Sequence, residues 1–334
     1  MDTDMTIATA SAWCEIGREY TKNKEYGEAI EAFSQAIAIY PEYALAHEFR
    51  GTIYSAEGDF DSAIEDYTEA LRINPDNPRA LLRRGYMYTV KKRYKLAIPD
   101  FNDAIRLEPD RMEAYYHRGK SYAAQEAFDK AIADYTHAIR LDPGCADAYY
   151  HRGKAYVEKE AFYRAAADYT EAININPHCV KAYRSRGDVY GITGQYDRAI
   201  ADFTRAVGFD KTDAGSYFRR GYAYAAKADY RHAIADYTEA IRLDPYYPYI
   251  FFSRGRAYVA IGSYDAAIAD FAESIRLDPE NTQFYFFRGR AYADKDDYLS
   301  ALADFDRALE IAPDDPDIIA WRRSISQALD VVFP

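Results

Sequence analysis

The stretch AYYHRGK at residues 114–120 recurs without change at residues 148–154, which is 34 residues further along the chain. Glycines keep the same interval of 34 along nearly the whole sequence. They are Gly17, Gly51, Gly85, Gly119, Gly153, Gly187, Gly221, Gly255 and Gly289. A fixed period of this length indicates stacked copies of one small structural unit. The 334 residues are therefore predicted to form a repeat array, which is not limited to the size of one globular core.

Each repeat contains two sets of recurrent positions when it is numbered from 1, so that the glycine is position 8. Positions 4, 7, 8 and 11 form the first set, and positions 17, 20, 21, 24 and 27 form the second. Both sets have the i, i+3, i+4, i+7 spacing of one face of an α-helix. Each repeat is therefore predicted to hold two helices, A and B, of about 14 residues. A proline at position 32, replaced only by Lys211, stops helix B.

Small residues at positions 8 and 20 predict a close approach of helices A and B. A glycine inside a helix costs about 1 kcal/mol relative to alanine, so a glycine in every repeat implies a packing gain at least as large. We expect the glycine and the alanine to bring the two backbones together, with aromatic rings at positions 11, 17 and 24 filling the surrounding space.

The repeat resembles the tetratricopeptide repeat (TPR) family. The matching residues in the first repeat are Trp13, Gly17, Tyr20, Ala29, Phe33, Ala36 and Pro41. The resemblance implies an all-α fold, a right-handed α-solenoid of nine helix-turn-helix repeats in which helix A lines the concave face. It also implies a protein that binds extended peptides or helices of partner proteins in that groove.

The period sets the expected domain organisation. Nine repeats are predicted at 10–43, 44–77, 78–111, 112–145, 146–179, 180–213, 214–247, 248–281 and 282–315. Residues 1–9 are then an N-terminal extension, and residues 316–334 a C-terminal cap helix and tail. Arg323 replaces the glycine in this last segment because no helix B approaches it. Pro99 inside helix B of the third repeat is expected to kink that helix.

Arginine at position 7 and aspartate at position 23 accompany each other in repeats two to nine, and both are absent from the first repeat, which has Ile16 and Ala32. Guanidinium and carboxylate groups match in a two-pronged hydrogen-bonding geometry. We predict an arginine–aspartate pair that links helices A and B within a repeat, or joins neighbouring repeats, and that serves the structure rather than a ligand.

Composition limits the function. The formal charge of −12 and the pI near 5.1 disfavour a surface that binds nucleic acid or anionic membranes as a whole. The N-terminus lacks a basic, apolar signal and no apolar run is long enough to span a membrane, so a cytoplasmic location is expected, with export of a processed chain as the alternative. Cys14, Cys145 and Cys179 are expected to be free thiols.

The face of helix A opposite the packed stripe carries the candidate binding residues, at positions 2, 5, 6 and 9. Basic residues outnumber acidic ones at these positions, and aromatic residues are frequent there. The predicted groove residues are Arg79, Arg83, Tyr116, His117, Lys120, Tyr150, His151, Lys154, Arg184, Phe218, Arg219, Tyr222, Tyr249, Phe252, Arg256, Phe286, Phe287 and Arg290. The alternative is that these rings bury one another, or that the tail residues Val331, Val332 and Phe333 cover them.

Catalytic, metal-binding and phosphate-binding motifs are not found in the sequence, and the protein is predicted to be non-enzymatic, without cofactor or metal. Glu113 with His117 and Asp147 with His151 form i, i+4 pairs that could hold zinc in principle, but solvated helix pairs are the commoner case. The residues of a chaperone-type carboxylate clamp are only partly matched, because Phe49 replaces the expected asparagine.

The predicted function is a scaffold that grips an extended or helical segment of another protein, acidic or carboxylate-bearing, through its basic and aromatic groove. Two alternatives remain. One is single-stranded nucleic-acid binding by the same groove, which the acidic total disfavours. The other is self-association into a homo-oligomer through the end repeats.

Overall fold

The structure is a computed structural model that describes the backbone of residues 3–332 and the side chains of residues 4–329. Within that range every regular element is an α-helix. The helices are α1 (Thr3–Asn23), α2 (Tyr26–Ile39), α3 (Ala44–Glu57), α4 (Phe60–Ile73), α5 (Pro78–Val90), α6 (Tyr94–Leu107), α7 (Met112–Ala123), α8 (Phe128–Leu141), α9 (Ala146–Glu158), α10 (Phe162–Ile175), α11 (Val180–Ile192), α12 (Tyr196–Phe209), α13 (Ala214–Ala226), α14 (Tyr230–Leu243), α15 (Pro248–Ala260), α16 (Tyr264–Leu277), α17 (Thr282–Ala293), α18 (Tyr298–Ile311) and α19 (Pro316–Val332).

The helices form two compact bodies, Met1–Asn176 and Pro177–Pro334. The N-terminal body contains five helix pairs, α1 to α10, and the C-terminal body contains four pairs followed by α19. Within each body every helix packs against the next one along the chain. The predicted all-α fold of repeated helix pairs with a final extra helix is confirmed. Helix α1 begins at Thr3, inside the stretch predicted to precede the first repeat.

A left-handed residue at position 15 separates helices A and B in all nine repeats. Its φ lies between +55° and +84°, and it is glycine only at Gly58, Gly194 and Gly262. The following N–H bonds back to the carbonyl of position 11, as from Asp59 to Tyr54 at 2.9 Å. This backward bond satisfies a carbonyl that the end of helix A would otherwise leave unpaired. The turn directs helix B back along helix A.

The recurrent glycine lies directly against the ring at position 24 of helix B. A Cβ added to Gly119 would come within 2.8 Å of Cε1 of Tyr135, and one added to Gly17 within 2.7 Å of Phe33. The glycine and the alanine at position 20 were expected to bring the two backbones together, and the ring at position 24 is the group nearest to the glycine. These rings are almost completely buried, with Tyr135 only 1% exposed. They form the centre of each helix pair.

The arginine–aspartate pair forms within each repeat, as predicted. Both Nε and Nη2 of the arginine donate to the two carboxylate oxygens, at 2.9 and 2.8 Å for Arg50 and Asp66. The remaining Nη1 reaches the preceding repeat, where it donates to Ser34 at 2.9 Å. The hydrogen bond from Arg50 to Asp66 is the main cause that raises the pKa of this guanidinium. The equivalent pairs are Arg84–Asp100, Arg118–Asp134, Arg152–Asp168, Arg186–Asp202, Arg220–Asp236, Arg254–Asp270 and Arg288–Asp304.

The final helix, α19, closes the C-terminal body. Ile318 and Ile325 are buried against Phe305 of α18. Arg322 lies at position 7 if the register of the repeats is extended into α19. It hydrogen-bonds Asp306 of the ninth repeat, as the arginine at position 7 of other repeats bonds a side chain of the repeat before it. Arg323, at the position of the recurrent glycine, is exposed. The alternative that Val331, Val332 and Phe333 cover the groove stays a prediction, because these side chains lie outside the described residues.

Other features of the fold follow simply from the helices. Helix α6 continues through Pro99 to Leu107, so the proline does not end it. The three cysteines are free thiols. Among the described residues, no helix combines the length and apolar character needed to cross a membrane.

Candidate functional site

Side chains at positions 5 and 6 of helix A cover the buried rings at position 24. Position 5 covers the ring of its own repeat, as Phe252 covers Phe271 with centroids 5.8 Å apart. Position 6 covers the ring of the preceding repeat, as Phe49 covers Phe33 at 5.7 Å. Positions 5 and 6 are therefore less exposed than expected for the free face of helix A. Phe252 is buried, and residues at positions 2 and 9 are exposed more often than those at positions 5 and 6.

The two predicted histidines are part of this ring packing. His117 lies between Phe101, Tyr86 and Tyr116, with centroids 6.1, 4.8 and 5.1 Å away. Burial, with a smaller effect of the Lys120 charge, lowers the pKa of His117 to about 4. His151 has the same place one repeat later, against Tyr135 at 6.0 Å. Both histidines thus pack against aromatic rings. His117 is neutral at physiological pH.

Metal binding by these histidines finds no geometric support. In the described part of the chain, no three histidine, cysteine, aspartate or glutamate side chains lie close enough together to hold a metal ion. The spacing of Glu113 and His117 reflects the period of helix α7, in which Glu113 is exposed and His117 points into the rings.

Basic residues of the N-terminal body are partly engaged. Arg79 lies 3.7 Å from buried Glu48, and Nη1 of Arg83 donates to Thr52 at 3.0 Å. Lys120 sits over the ring of Tyr116, while Lys154 is exposed. A cavity of about 330 Å³ lies between α5 and α7, lined in part by Arg79, Arg83 and His117. This body therefore brings some of its predicted residues together, with an acid already beside Arg79.

Two predicted cations of the C-terminal body are already paired with acids. Arg184 donates to Asp213 at 2.9 Å, and Arg219 bonds Asp188 at 3.0 Å. Burial raises the pKa of Asp188, and the Arg219 charge opposes that shift. These two arginines therefore add less positive charge to the predicted groove, since each shares its charge with a neighbouring carboxylate.

Arg256 and Arg290 are differently placed, because both guanidinium groups rest on the ring of Phe287. Their Cζ atoms lie 5.3 and 5.6 Å from its centroid. Arg290 also stacks on Trp321 at 4.8 Å, and Arg256 on Phe252 at 5.8 Å. Neither arginine forms an ion pair with a carboxylate in the part of the chain that the structure describes. The aromatic rings thus hold two positively charged groups near each other, and both arginines line the same cavity.

Two adjoining cavities flank Arg256. The first, of about 290 Å³, lies between α13 and α15 and is lined by Tyr222, Tyr237 and Ser253 among others. The second, of about 230 Å³, lies between α15 and α17 and includes Phe287, Arg290 and Asp294. Arg256 lines both. The site therefore has two recesses with one guanidinium on their shared edge.

Of the remaining predicted aromatics, Tyr222 lines the first cavity, and the others lie against neighbouring rings outside the linings of the two cavities. Tyr222 is 59% exposed and Tyr249 is 39% exposed. Phe218 contacts Tyr237 and Tyr247, and Tyr249 accepts a hydrogen bond from Asn281 at 3.0 Å. Phe286 packs between Phe305 and Trp321. Tyr150 of the N-terminal body packs on Tyr169.

Two residues beside this site were not predicted. Trp321 belongs to α19 and lies at position 6 if the register of the repeats is extended into that helix. Ser253 carries no charge or ring to attract notice. Tyr237, predicted to be a core residue, is buried beneath the site. Extending the 34-residue register beyond the last repeat would have revealed Trp321.

Comparison with known protein families shows which family the chain belongs to. The family model described as Tetratricopeptide repeat matches residues 14–78, 50–112, 152–216 and 252–316, which together exceed half of the chain. The chain belongs to the tetratricopeptide repeat family. Two further TPR models match residues 119–160 and 214–247. TPR proteins serve as protein-interaction scaffolds. No curated protein matches the sequence.

Solved TPR structures share the fold. The C-terminal part of a TPR protein from Cytophaga hutchinsonii is 18% identical, with a TM-score of 0.63 over 72% of this chain and 98% of that one. A TPR protein from Parabacteroides merdae is 19% identical, with a TM-score of 0.54 over 74% and 98%. YrrB, described as a TPR protein with an unusual peptide-binding site, is 22% identical, with a TM-score of 0.51 over 55% and 95%.

Proposed function

We propose that the protein is a non-enzymatic scaffold whose C-terminal body binds an extended acidic segment of a partner protein across α13, α15 and α17. The observation that carries this proposal is the placement of Arg256 and Arg290 on the single ring of Phe287. Two neighbouring cations repel each other, and a carboxylate beside either of them would relieve that repulsion through charge-assisted hydrogen bonding.

The rings beside the arginines suit an interface. Partly exposed tyrosines and phenylalanines supply large contact areas with little loss of conformational entropy. Because Phe287 and Trp321 fix the guanidinium planes, the arginines lose little freedom when a ligand binds. The peptide-binding site for which YrrB is described supports the same use of this fold.

The contrast with Arg184 and Arg219 narrows the proposed site. These two arginines would have to leave Asp213 and Asp188 before pairing with a ligand, which offsets any gain. Arg256 and Arg290 need no such exchange. We therefore propose that the acidic side chains of the ligand contact Arg256 and Arg290, and that its apolar side chains contact Phe218, Tyr222 and Tyr249.

An array of immobilised 15-residue peptides tests this function. The wild-type protein is expected to bind peptides that contain acidic residues, and Arg256→Glu with Arg290→Glu to abolish that binding without unfolding. The matched control is Arg242→Glu with Arg276→Glu, since these exposed arginines of α14 and α16 carry the same charge. Loss of binding in both double variants, or in neither, would count against the site. Binding of single-stranded oligonucleotides in place of peptides, with steep salt dependence, would favour the alternative function.

A further inference from the structure

The cavity between α13 and α15 lies where position 6 of the eighth repeat is a serine, Ser253. At this position Phe49 covers Phe33, Phe287 covers Phe271 at 6.3 Å, and Trp321 covers Phe305 at 6.4 Å. Ser253 occupies the same position relative to Tyr237, and its short side chain leaves space that a ring fills elsewhere. Position 6 varies along the chain, with arginine at Arg83 and Arg219 and a second serine at Ser185. The volume of about 290 Å³ lies where a small residue at this position meets the ring of Tyr237.

The residues that line this cavity carry hydrogen-bond donors. Tyr222, Tyr230, Tyr237 and Ser253 have hydroxyl groups, and Arg256 has a guanidinium. The hydroxyls of Tyr237 and Ser253 are hydrogen-bonded to each other, and Tyr237 is only 1% exposed. The described residues that line it include no carboxylate. Burial raises the pKa of Tyr237 more than the Arg256 charge lowers it, so the phenol remains a neutral donor. A wall of hydroxyl donors beside a cation matches the acceptors of a carboxylate.

The adjoining cavity between α15 and α17 has a different character. Val259, Ala260, Ala291 and the ring of Phe287 make most of it apolar, with charged groups at Arg256, Arg290 and Asp294. An aliphatic side chain would bury its surface there. The two cavities therefore differ in chemistry although they share Arg256.

We propose that Ser253 determines specificity, by opening a pocket that takes a carboxylate of the bound peptide while the adjoining cavity takes an aliphatic side chain. This inference rests on the proposed function. Packed helices lie about 8–10 Å apart, and an extended peptide rises about 3.1 Å per residue. The acidic and aliphatic residues of the ligand should therefore be about three positions apart. The carboxylate is either a side chain of Asp or Glu or the end of a chain.

Affinity selection from a pool of random octapeptides tests the pocket. The peptides are acetylated, and half of the pool has a free C-terminus while the other half is amidated. The wild type is expected to enrich an acid and an aliphatic residue about three positions apart or, for a terminal carboxylate, an aliphatic residue about three positions before a free C-terminus. Enrichment in both halves identifies a side-chain carboxylate, and enrichment confined to the free half identifies a terminal one.

The variant Ser253→Phe introduces the side chain that repeats two and nine already carry at this position. It is expected to stay folded and to lose the selection for acid at least tenfold, while the aliphatic preference stays. An unchanged enrichment of acidic peptides by Ser253→Phe would overturn the inference. If this variant does not fold, Ser253→Ala combined with Tyr237→Phe removes the two hydroxyl groups. Enrichment of acidic peptides by that variant to the same level as by the wild type would also overturn the inference.

The outcomes separate this inference from the function on which it rests. If the wild type enriches no peptide, the proposed function fails and the pocket fails with it. If peptides are enriched by the wild type and lost with Arg256→Glu and Arg290→Glu, but retained in full by Ser253→Phe, only the specificity pocket is wrong.

Discussion

Asp134 accepts two hydrogen bonds from one edge of the Arg118 guanidinium, from Nη2 at 2.7 Å and from Nε at 2.8 Å. The third arm, Nη1, donates to Asn102 of the preceding repeat at 2.7 Å. One arginine thus joins helices A and B and also connects two repeats. Asp134 is 6% exposed, so its charge depends on this partner.

Replacing Arg118 alone with leucine should lower the free energy of unfolding by about 3–5 kcal/mol, because Asp134 keeps a buried charge without a partner. Replacing both Arg118 and Asp134 with leucine should cost much less than the sum of the single losses. Chemical denaturation of the two single variants and the double variant measures this coupling. Additive losses would contradict the pair.

Alanine at Gly119 should lower stability by about 1–2 kcal/mol. Its Cβ would meet Cε1 of Tyr135 at 2.8 Å, and the cost of moving that ring exceeds the gain in helix propensity. Gly208 of α12 provides the control, because a Cβ there meets nothing within 4 Å. Gly208→Ala should raise stability by up to about 1 kcal/mol. Thermal unfolding of both variants gives the comparison, and equal effects would contradict the packing argument.

Pro99→Ala should raise the free energy of unfolding by about 1–3 kcal/mol. Proline in the middle of α6 removes a backbone donor and crowds the carbonyl four residues earlier. Repeats four to nine carry alanine at this position, and Pro99 is exposed, so alanine meets no packing obstacle. A lower unfolding midpoint in urea for Pro99→Ala would show that the helix depends on the proline.

Stability should fall as the pH drops from about 6.5 to about 4, through His117. The unfolded chain takes up a proton near the ordinary histidine pKa of about 6.5, whereas burial lowers the folded pKa to about 4. The folded state is therefore disfavoured in this window, by up to about 3 kcal/mol at its acid end. His117→Phe, which matches Phe49 and Phe287 at the same position, should flatten the pH dependence. Identical pH profiles for wild type and variant would exclude this role.

The repeat fold could be predicted from the sequence because its period is strict. The interval between Gly119 and Gly153 determines the helix pairs, and the shared absence of arginine and aspartate from the first repeat indicates their pairing. Both signals depend only on positions within one repeat. Packing imposes them on every copy, which makes them visible in a single sequence.

The site could be predicted only in outline. Arg219 and Arg256 are both basic residues of the predicted groove, at positions 6 and 9, yet Arg219 meets Asp188 of the preceding repeat, whereas Arg256 rests on Phe252 and Phe287. This difference depends on which neighbouring side chains come within reach, and the helix period does not give that distance. The cavity at Ser253 is likewise visible only once position 6 is seen to cover a ring of the preceding repeat.

The most direct test of the account is the affinity of an acidic peptide, taken from the array, measured by fluorescence anisotropy together with its charge-reversed counterpart. Arg256→Glu with Arg290→Glu should weaken binding of the acidic peptide at least a hundredfold and should strengthen binding of the peptide in which lysines replace the acids. Arg242→Glu with Arg276→Glu should leave both affinities within about twofold of wild type. Equal affinity of the wild type and the Arg256→Glu, Arg290→Glu variant for the acidic peptide would contradict the proposed site.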